Sequence, residues 1–503
     1  MATATRADAR SVPAKPPASD PAAHLGRYAD LVGDWDAFVA AMQAPKPACA
    51  VVNRNRLCRD ALAALCRADG IPVAAVAWTT GAIATPPDAR PGRWWPHQAG
   101  LFQLQEEASL LPVHLLAPQP GETVLDLCAA PGGKAAQIAM ALGNAGTVIA
   151  NDKNAGRLAA IRDKMKRLGL LNLTTTVHDG ADFPLAAGPF DRVLVDAPCS
   201  AEGTQFAQGA AFVAQSKEFA HKLQGQQRAL LRRALRLVRP GGRVVYATCS
   251  LAPEENEAVL DAVLAERDDV AVRPVALPGL AADAGLTHWQ GRTFRPDVAN
   301  AVRLWPHRTG TGGFFAAVLE RAGGPDPDAE RRVAPDPANA GPDAGIGDHL
   351  ATLRRHFGLP GDAFTGLRFH ARGDEIHATH AGHAPWPHPR PQSSGIPLIK
   401  RAGHWPKPTT PAAMLLGDAA TRHVIELDRD QRDAYQRRAA IVPAPAQLNT
   451  CTGRGYVIVR YAGLALGAAF LARRDPPELR SEFPRIWVPE SQRTTERTTR
   501  SPA

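Results

Sequence analysis

Cysteine is scarce in this sequence, and its spacing supports no covalent or metal-bound framework. The 503 residues include seven cysteines, an odd number, and no two of them form a C-x-x-C pair. A disulfide framework uses an even set of cysteines, and a zinc ribbon uses C-x-x-C pairs. We therefore expect reduced thiols, which excludes a disulfide scaffold and directs attention to the individual cysteines.

Long apolar segments are also absent. No apolar run approaches the roughly eighteen residues of a membrane-spanning helix. Residues 1–24, MATATRADARSVPAKPPASDPAAH, contain no apolar stretch of the kind that marks a secretory signal. The sequence thus predicts a soluble, cytoplasmic protein with no membrane partner.

The composition is that of a globular protein, because 45% of the residues are hydrophobic and 21% are charged. The 43 glycines and 45 prolines exceed their usual share and indicate many loops and linkers. The net charge is +9, and residues 396–503 carry +7 of it, since they hold 17 Lys/Arg and 10 Asp/Glu. A basic C-terminal region is a typical nucleic-acid footprint, although an ordinary solvated surface gives the same count.

Composition and apolar patterning divide the chain into six segments. The predicted segments are a flexible tail (1–23), a helical N-terminal accessory domain (24–100), a central domain (101–321), a Pro/Gly/Asp/Ala-rich linker (322–347), a C-terminal region with a helix and then strands (348–488), and a second tail (489–503). Apolar residues spaced three and four apart predict the N-terminal helices, in RYADLVGDWDAFVAAM and LCRDALAALCRADG. The stretch LFQLQEEASLLPVHLL (101–116) is also predicted to be a helix.

From residue 123 onwards, strand-like and helix-like segments alternate. The predicted strands are TVLDLC, TVIAND, LTTTVHDG, DRVLVDAP and RVVYATCS, and GGFFAAVLE closes the central domain. Amphipathic segments such as AGRLAAIRDKMKRLG lie between them. Because this alternation builds parallel βαβ units, we predict an α/β fold with a doubly wound, Rossmann-like sheet.

The first predicted strand runs into a glycine loop and a helix, VLDLCAAPGGKAAQIA. The adjacent glycines allow a ligand to approach the backbone, and the helix start offers free N–H groups. The spacing is not G-x-G-x-x-G, so a dinucleotide is not indicated. Asp152, Asp179 and Asp196 follow the next three strands, where parallel sheets bind their ligands. A single aspartate at such a position is often only a helix cap or a turn residue. Three aspartates at the ends of successive strands indicate that they line one ligand-binding crevice.

Two strand ends carry the same Cys-Ser dipeptide. RVLVDAPCSAEG places Cys199 after the fourth strand, and RVVYATCSLAPEEN places Cys249 after the fifth. Free cysteines are commonly small buried hydrophobes. Here, however, two cysteines lie at the ends of two strands, and one directly follows an Asp-Ala-Pro turn. This arrangement indicates a catalytic role instead.

Four motifs, in this order, resemble those of the Sun-type (RsmB/RsmF, or Fmu) RNA cytosine-5 methyltransferases. The motifs are CAAPGGK (Cys128–Lys134), DAPCS (Asp196–Ser200), TCS (Thr248–Ser250) and WPHRTGTGGFF (Trp305–Phe315). The resemblance covers residues 101–320, and the flanking regions are more loosely similar to the RsmF branch. It implies a class I methyltransferase fold in the central domain and a PUA-like, RNA-binding C-terminal region.

The resemblance also implies S-adenosyl-L-methionine (AdoMet) as the methyl donor. The residues implied to bind it are Cys128, Ala129, Ala130, Pro131, Gly132, Gly133, Lys134, Asp152, Asp179 and Asp196. Taken alone, Cys128 needs no chemistry, because a small residue suits the end of a core strand.

The reaction of this family explains the paired cysteines. Carbon 5 of cytosine is a poor nucleophile, but it becomes enamine-like when a thiolate adds to carbon 6. By resemblance Cys249 attacks, Cys199 assists release after methyl transfer, and Asp196 holds or protonates the ring nitrogen beside the amine. A free thiol has a pKa of about 8.5, so we expect Lys134 and the N-terminus of a helix beginning near Pro253 to favour the thiolate.

The remaining cysteines are predicted to have no catalytic role, and the histidines no metal-binding role. Cys49, Cys58, Cys66 and Cys451 lack a strand-end setting beside Asp or Ser and are predicted to be packing residues. The histidines between His370 and His388 are irregularly spaced and have no cysteine nearby, so no metal site is predicted.

The same motifs argue against other functions. A DNA cytosine-5 methyltransferase carries its nucleophile after the fourth strand in a P-C-Q setting, whereas this chain has P-C-S and a second T-C-S. An amino-group methyltransferase would carry an N-P-P-Y or D-P-P-Y turn, which is absent. A non-catalytic ribosome-assembly factor would have lost a cysteine or the glycine loop. The predicted partner is RNA, namely small-subunit ribosomal RNA with transfer RNA as the alternative, and a monomer is expected.

Overall fold

The computed structural model describes residues 25–46, 48–204, 217–335, 345–401, 407–472 and 475–488. The α-helices are α1 (Ala29–Val32), α2 (Trp35–Gln43), α3 (Arg59–Ala68), α4 (Trp95–Gln98), α5 (Leu111–Leu116), α6 (Gly133–Ala141), α7 (Leu158–Leu168), α8 (Lys217–Leu237), α9 (Glu257–Leu264), α10 (Pro306–Thr309), α11 (Ile346–Phe357), α12 (Thr410–Leu416) and α13 (Arg429–Gln436).

The β-strands belong to several sheets along the chain. They are β1 (Ala48–Val52), β2 (Ala74–Ala75), β3 (Ala82–Ala84), β4 (Phe102–Glu106), β5 (Thr123–Asp126), β6 (Thr147–Asp152), β7 (Leu173–Val177), β8 (Phe190–Asp196), β9 (Val238–Thr248), β10 (Val270–Arg273), β11 (Asp283–Ala284), β12 (His288–Trp289), β13 (Arg292–Thr293), β14 (Val302–Leu304), β15 (Phe314–Arg321), β16 (Leu367–Arg372), β17 (Glu375–His380), β18 (Pro391–Ser394), β19 (Ile396–Lys400), β20 (Lys407–Pro408), β21 (Val424–Glu426), β22 (Gly455–Tyr461), β23 (Leu464–Ala472) and β24 (Glu478–Ser481).

A ten-stranded sheet forms the central domain. Its parallel part has the order β7-β6-β5-β8-β9. Antiparallel strands flank this part, because β15 pairs with β9 and β18 pairs with β7. The predicted doubly wound α/β fold is confirmed. The strand order reverses at β5, and ligands of such sheets bind at the carboxyl ends beside the reversal.

Helices cover both faces of this sheet. Successive strand residues point to opposite faces, so Leu194 and Val245 join the core formed with α6 and α7. Their neighbours Val193 and Val244 join the core formed with α8 and α9. All four side chains are fully buried. Burial on both faces explains why these strands are continuously apolar in the sequence.

The N-terminal region contains a four-stranded sheet, β2-β3-β1-β4, that its sequence did not reveal. The helix predicted for residues 101–116 is wrong in its first half, since Phe102–Glu106 is β4 and only Leu111–Leu116 is α-helical. The alternation of apolar and polar residues in FQLQE suits a strand with one buried face. Because β4 pairs with β1, the sheet spans the predicted domain boundary at residue 101.

The C-terminal region contains the predicted helix, α11, and two further four-stranded sheets. Its last sheet shares a core with the N-terminal region, where Ile425 and Val457 cluster with Ala50 and Val52. β18 leaves this region to extend the central sheet. Within the described residues, no helix combines the length and the apolar character needed to cross a bilayer.

Part of the predicted linker is held against the central domain. Arg236 donates to Asp328 at 2.7 Å, and Arg332 donates to the carbonyl of Arg236 at 2.7 Å. Residues 336–344 of the predicted linker and both predicted tails, 1–23 and 489–503, lie outside the described residues. The division into domains stays a prediction.

Candidate active site

The carboxyl ends of β6, β8 and β9 and the loop after β5 border a cavity of about 280 Å³. The predicted site residues that line it are Cys128, Ala130, Asp152, Asp179, Asp196, Cys199 and Cys249. Ala129, Pro131, Gly132 and Gly133 are not part of this lining, and Lys134 lines a neighbouring cavity. The structure therefore brings residues that are up to 121 positions apart in the sequence, such as Cys128 and Cys249, to one crevice.

The glycine loop forms the tight turn from β5 into α6. Gly132 has φ +91°, and a Cβ atom there would lie 2.7 Å from Cγ1 of Ile161. A larger residue at this position would clash and would strain the backbone. Gly132 therefore serves the close packing of the loop on α7, which brings Cys128 and Ala130 to the cavity wall.

Asp152 is held at the end of β6 by hydrogen bonds to two backbone groups. It accepts from the N–H of Asn154 at 2.9 Å and from the N–H of Ala130 at 3.2 Å. Arg157, which the sequence reasoning missed, lies 3.4 Å from the same carboxylate and donates to the Ala130 carbonyl at 2.6 Å. Asp179 is anchored by the N–H of Ala181 at 2.9 Å. These contacts fix the carboxylates in place.

Asp196 and Lys134 form an ion pair at 2.8 Å, beside a second cavity of about 380 Å³. Asp196 and Cys249 line both cavities, so the two spaces meet at these side chains. Burial by itself would lower the pKa of Lys134, but the charge and hydrogen bond of Asp196 outweigh it and raise that pKa. Phe314 adds an aromatic wall, with its ring centre 5.6 Å from the Lys134 ammonium.

The two cysteine sulfurs lie 3.4 Å apart. Donation of a hydrogen bond by the Cys199 thiol lowers the pKa of Cys249. Lys134 and Thr204 lower it further, against the opposing effects of burial and of the Asp196 charge. The same hydrogen bond, followed by burial, raises the pKa of Cys199 well above its usual range. The pair is thus polarised: Cys249 ionises more readily to the thiolate, and Cys199 stays protonated.

Glu255 anchors both cysteine loops, and the sequence reasoning missed it. Its carboxylate accepts from the Ser250 hydroxyl at 2.7 Å, the Ser200 N–H at 3.0 Å and the Gln227 side chain at 2.8 Å. The signal in the sequence was the acidic run PEEN (253–256), which begins three residues after Ser250 of the T-C-S motif. Glu255 is 3% exposed, so it positions the loops without lining either cavity.

Two expectations need correction, one about the helix after Cys249 and one about Cys58. The helix after Cys249 begins at Glu257, not near Pro253, because residues 253–256 form a turn. The first cause that lowers the pKa of Cys249 is the hydrogen bond from Cys199, and the expected effect of Lys134 is also present. Cys58 is exposed at the start of α3 and is not a packing residue. It precedes the first helical residue, where a side chain projects into solvent.

The other thiols are consistent with inert packing. Cys49, Cys66 and Cys451 are buried. Burial, with the nearby carboxylates, raises the pKa of Cys128 well above its usual range, which keeps it protonated. In the ranges that the structure describes, no group of three or more His, Cys, Asp or Glu side chains is placed to hold a metal ion.

Comparison with known proteins identifies the relatives of this chain. Residues 113–320 match the family described as 16S rRNA methyltransferase RsmB/F. Ribosomal RNA small subunit methyltransferase F of Erwinia tasmaniensis is 31% identical over 69% of this chain and 71% of its own length. The tRNA (cytosine(49)-C(5))-methyltransferase of Pyrococcus abyssi is 35% identical over 46% of this chain and 75% of its own length.

A solved structure shares the fold. The methyltransferase homolog protein from Pyrococcus horikoshii aligns with a TM-score of 0.53 and 30% identity, over 61% of this chain and 100% of that one. The 28S rRNA cytosine-C5 methyltransferases of mouse and human are much longer, and this chain spans only 38% and 37% of their lengths.

Proposed function

The chain belongs to the RsmB/F family, and we propose that it transfers a methyl group from AdoMet to carbon 5 of cytosine in RNA through a covalent cysteine intermediate. The observation that carries this proposal is the polarised pair of Cys249 and Cys199, which meets the Asp196–Lys134 ion pair where two cavities join. One cavity suits the methyl donor, and the other suits a base.

The first cavity fits AdoMet by the chemistry of its lining. Asp152 and Asp179 stand at strand ends, where carboxylates accept hydrogen bonds from ribose hydroxyls. The backbone of the glycine loop borders the same space. When bound, AdoMet supplies an electrophilic methyl group. The chain contributes the fixed carboxylates and the turn that let a ligand lie against the loop.

In the proposed reaction the Cys249 thiolate adds to carbon 6 of the base, and the electron pair of the carbon 5–carbon 6 double bond moves into the ring. Asp196, held by Lys134 at 2.8 Å, holds or protonates the ring nitrogen that gains this electron density, so negative charge does not build up on the base. The electron pair then forms the bond from carbon 5 to the methyl group, which bound AdoMet would release from its sulfonium sulfur to leave a neutral thioether. The carbon 5 proton passes to solvent, its electron pair re-forms the carbon 5–carbon 6 double bond, and the carbon 6–sulfur bond breaks to release the Cys249 thiolate. Cys199, 3.4 Å from Cys249, is placed to assist this release.

We propose small-subunit ribosomal RNA as the substrate. The support is the family match and the methyltransferase F relative, which covers 69% of this chain. Transfer RNA is the alternative, since the Pyrococcus abyssi relative bears a tRNA methyltransferase name. Bisulfite sequencing of total RNA from a deletion strain distinguishes them, because only the true target loses its protected cytosine. Cytoplasmic location and a monomeric state stay predictions.

Trapping the covalent intermediate tests the mechanism. We expect Cys199→Ala to attack and methylate RNA and then stall, giving a slower band on denaturing electrophoresis that requires AdoMet and RNA. Cys249→Ala should give no band, and neither should the double variant. Cys128→Ala is the matched control, since its thiol lines the same cavity but has no proposed role in the attack on carbon 6 or in the release of the product. Adduct in Cys249→Ala but not in Cys199→Ala would reverse the two roles.

A further inference from the structure

A cleft of about 350 Å³ lies between the C-terminal region and the edge of the central sheet, away from the proposed active site. One wall is β16, an edge strand of its sheet. Arg368, His370 and Arg372 alternate along β16 and therefore point to the same face. All three line the cleft, together with Arg390 from the segment before β18. The geometry of one strand thus concentrates positive charge on one surface.

The cleft contains cationic and neutral polar groups but no carboxylate among its described lining residues. Arg372 and Arg390 are exposed, and Arg368 is half-buried. Burial lowers the pKa of His370 to about 4, so this ring is neutral near pH 7 and the arginines supply the charge. A surface of this kind attracts an anionic partner.

The opposite wall is part of the catalytic sheet. β18 pairs with β7, and the hydroxyls of Thr175 and Ser393 are hydrogen-bonded at 2.7 Å across this pairing. Thr174 contacts both Ser394 and His383, at 2.6 and 2.7 Å. The cleft is consequently fixed to the sheet whose β7 end leads to Asp179.

We propose that this cleft docks the sugar–phosphate backbone of the RNA substrate outside the target nucleotide. The inference rests on the proposed RNA substrate and adds a second contact site for it. Guanidinium groups suit phosphate recognition because they offer several N–H donors in a planar fork. An acidic protein segment would meet the same charges, but the family's relatives bear names of RNA-modifying enzymes, which favours RNA.

The lining indicates docking without sequence readout. Proteins that read bases on single-stranded RNA commonly stack them on exposed aromatic rings and also form hydrogen bonds to the base edges. The tryptophan of the cleft, Trp386, is only 5% exposed, packs against Phe190 with ring centres 4.9 Å apart, and donates its N–H to the Val333 carbonyl. Phosphate contacts position a nucleic acid but carry no sequence information. The cleft should therefore set the register of the RNA rather than choose the base.

The position of β18 in the central sheet gives the distance between the cleft and the proposed active site. β18 lies five strand steps from β9, in the order β9-β8-β5-β6-β7-β18. At roughly 4.8 Å per step this is about 24 Å, too far for the nucleotide that occupies the active site. The docked phosphates belong to a flanking segment of the substrate.

Positive charge after residue 395 is partly used within the fold. Arg432 forms an ion pair with Asp69 at 2.8 Å, and its guanidinium lies 4.5 Å from the ring centre of Tyr461. Arg460 donates to the carbonyl of Ala420 at 2.6 Å. Arg432 thus joins the C-terminal region to the N-terminal region, and Arg460 stabilises the C-terminal region itself, so both present less charge to a ligand. In the cleft, Arg372 donates one hydrogen bond to the Gln392 carbonyl at 2.9 Å, but Arg372 and Arg390 stay exposed to an incoming ligand.

The test compares two triple variants of the full chain with equal change in net charge. Arg368→Gln/Arg372→Gln/Arg390→Gln removes the cleft arginines, and Arg354→Gln/Arg437→Gln/Arg454→Gln removes three exposed arginines elsewhere in the C-terminal region. RNA affinity is measured against salt concentration, using a small-subunit RNA fragment and a short oligonucleotide around the target cytosine. Thermal unfolding and AdoMet affinity report whether each variant is folded.

We expect the cleft variant to bind the long fragment at least tenfold more weakly. The slope of log affinity against log salt should fall by about 2 to 3, because each lost phosphate contact removes about 0.7 to 0.9. Binding of the short oligonucleotide and turnover at saturating RNA should be unchanged. The control variant should retain most of its affinity. If the cleft variant fails to fold, Arg372→Gln/Arg390→Gln replaces it, since both residues are exposed.

Equal losses in the cleft and control variants would overturn the proposal, and so would equal losses on long and short RNA. A cleft variant that binds RNA normally but binds assembled small subunits weakly would show that the cleft docks a protein instead. Failure of the proposed function is a separate result, because methylation and RNA binding are measured separately. Even if the wild-type protein methylates no cytosine in RNA, the salt dependence of its RNA affinity can be compared with that of the cleft variant.

Discussion

The hydroxyl oxygens of Ser200 and Ser250 lie 2.9 Å apart and join the loops that carry the two candidate catalytic cysteines. Glu255 accepts a hydrogen bond from each loop, from the Ser250 hydroxyl and from the Ser200 N–H. Because each serine directly follows its cysteine, this anchor keeps the two thiols side by side. The repeated Cys-Ser dipeptide therefore has a structural cause as well as a chemical one.

Glu255→Ala should loosen both loops at once. The substitution leaves the Ser200 N–H, the Ser250 hydroxyl and the Gln227 amide without their shared buried acceptor. Hydrogen bonds to a charged group contribute about 1.5–3 kcal/mol each, and loss of such a network costs several-fold more than a surface change. We expect urea unfolding to show a loss of about 3 kcal/mol and methylation to fall by more than tenfold.

The matched control for this prediction is Glu266→Ala. Glu266 is half-exposed and forms an ion pair with Arg232 on the surface, so its removal should cost less than about 1 kcal/mol. If Glu255→Ala and Glu266→Ala behave alike, Glu255 is not the anchor of the site.

The pH dependence of Cys249 alkylation should depend on Cys199. A lowered pKa means that the Cys249 thiolate persists to lower pH, and the first cause of the lowering is the hydrogen bond from Cys199. Cys199→Ala removes that donor, so the pKa of Cys249 should rise and the alkylation profile should move to higher pH. Iodoacetamide labelling followed by mass spectrometry of the Cys249 peptide measures the profile.

A Cys58→Ser background serves this experiment, because it removes an exposed thiol that competes for reagent. Lys134→Met should move the Cys249 profile in the same direction as Cys199→Ala, since the lysine charge also lowers the pKa of Cys249. A profile that stays in place in both variants would show that neither neighbour activates the cysteine.

The residues at the strand ends could be predicted from the sequence because a parallel sheet brings its carboxyl ends to one edge. Asp152, Asp196 and Cys249 needed only the βαβ pattern to be placed together. Glu255 and Thr204 could not be found this way, because each acts through contacts between loops that local patterning does not encode. The same holds for β18, which joins β7 from more than 200 positions away in the chain.

Local patterning also failed where two periodicities adjoin. In LFQLQEEASLLPVHLL a short alternating run precedes a helical one, and a single helix was predicted across both. β4 is a strand because its pairing with β1 satisfies its backbone groups and buries Phe102. The N-terminal sheet is therefore a product of tertiary pairing, which overrides the local preference.

Asp126 should make the protein less stable as pH rises. It is fully buried at the end of β5, and burial, followed by the charge of Asp196, raises its pKa to about 8. An unfolded aspartate ionises near pH 3.9, so between about pH 4 and 8 the folded state holds a proton that the unfolded state has released. One such proton lowers the free energy of unfolding by about 1.4 kcal/mol per pH unit.

Asp126→Asn isolates this effect, because the amide has nearly the same shape and does not titrate. The variant should gain stability relative to the wild type as pH rises from 5 to 8, and the two should converge near pH 4. Urea unfolding at several pH values gives the difference directly. Parallel stability curves would show that Asp126 is ionised in the folded protein across this range.

Asp152→Ala should weaken AdoMet binding without unfolding the protein. The carboxylate is only 4% exposed overall but lines the donor cavity, and a charge-assisted hydrogen bond to a ligand hydroxyl contributes about 1.5–3 kcal/mol, or about ten- to a hundredfold in affinity. Because Asp152 also accepts from Asn154 and Ala130, part of the loss could come from a displaced loop. Asp152→Asn separates the two effects, since its amide oxygen can still accept from the backbone while the charge is gone. Calorimetry should give an intermediate affinity for the Asn variant, and wild-type affinity in both variants would remove Asp152 from the donor site.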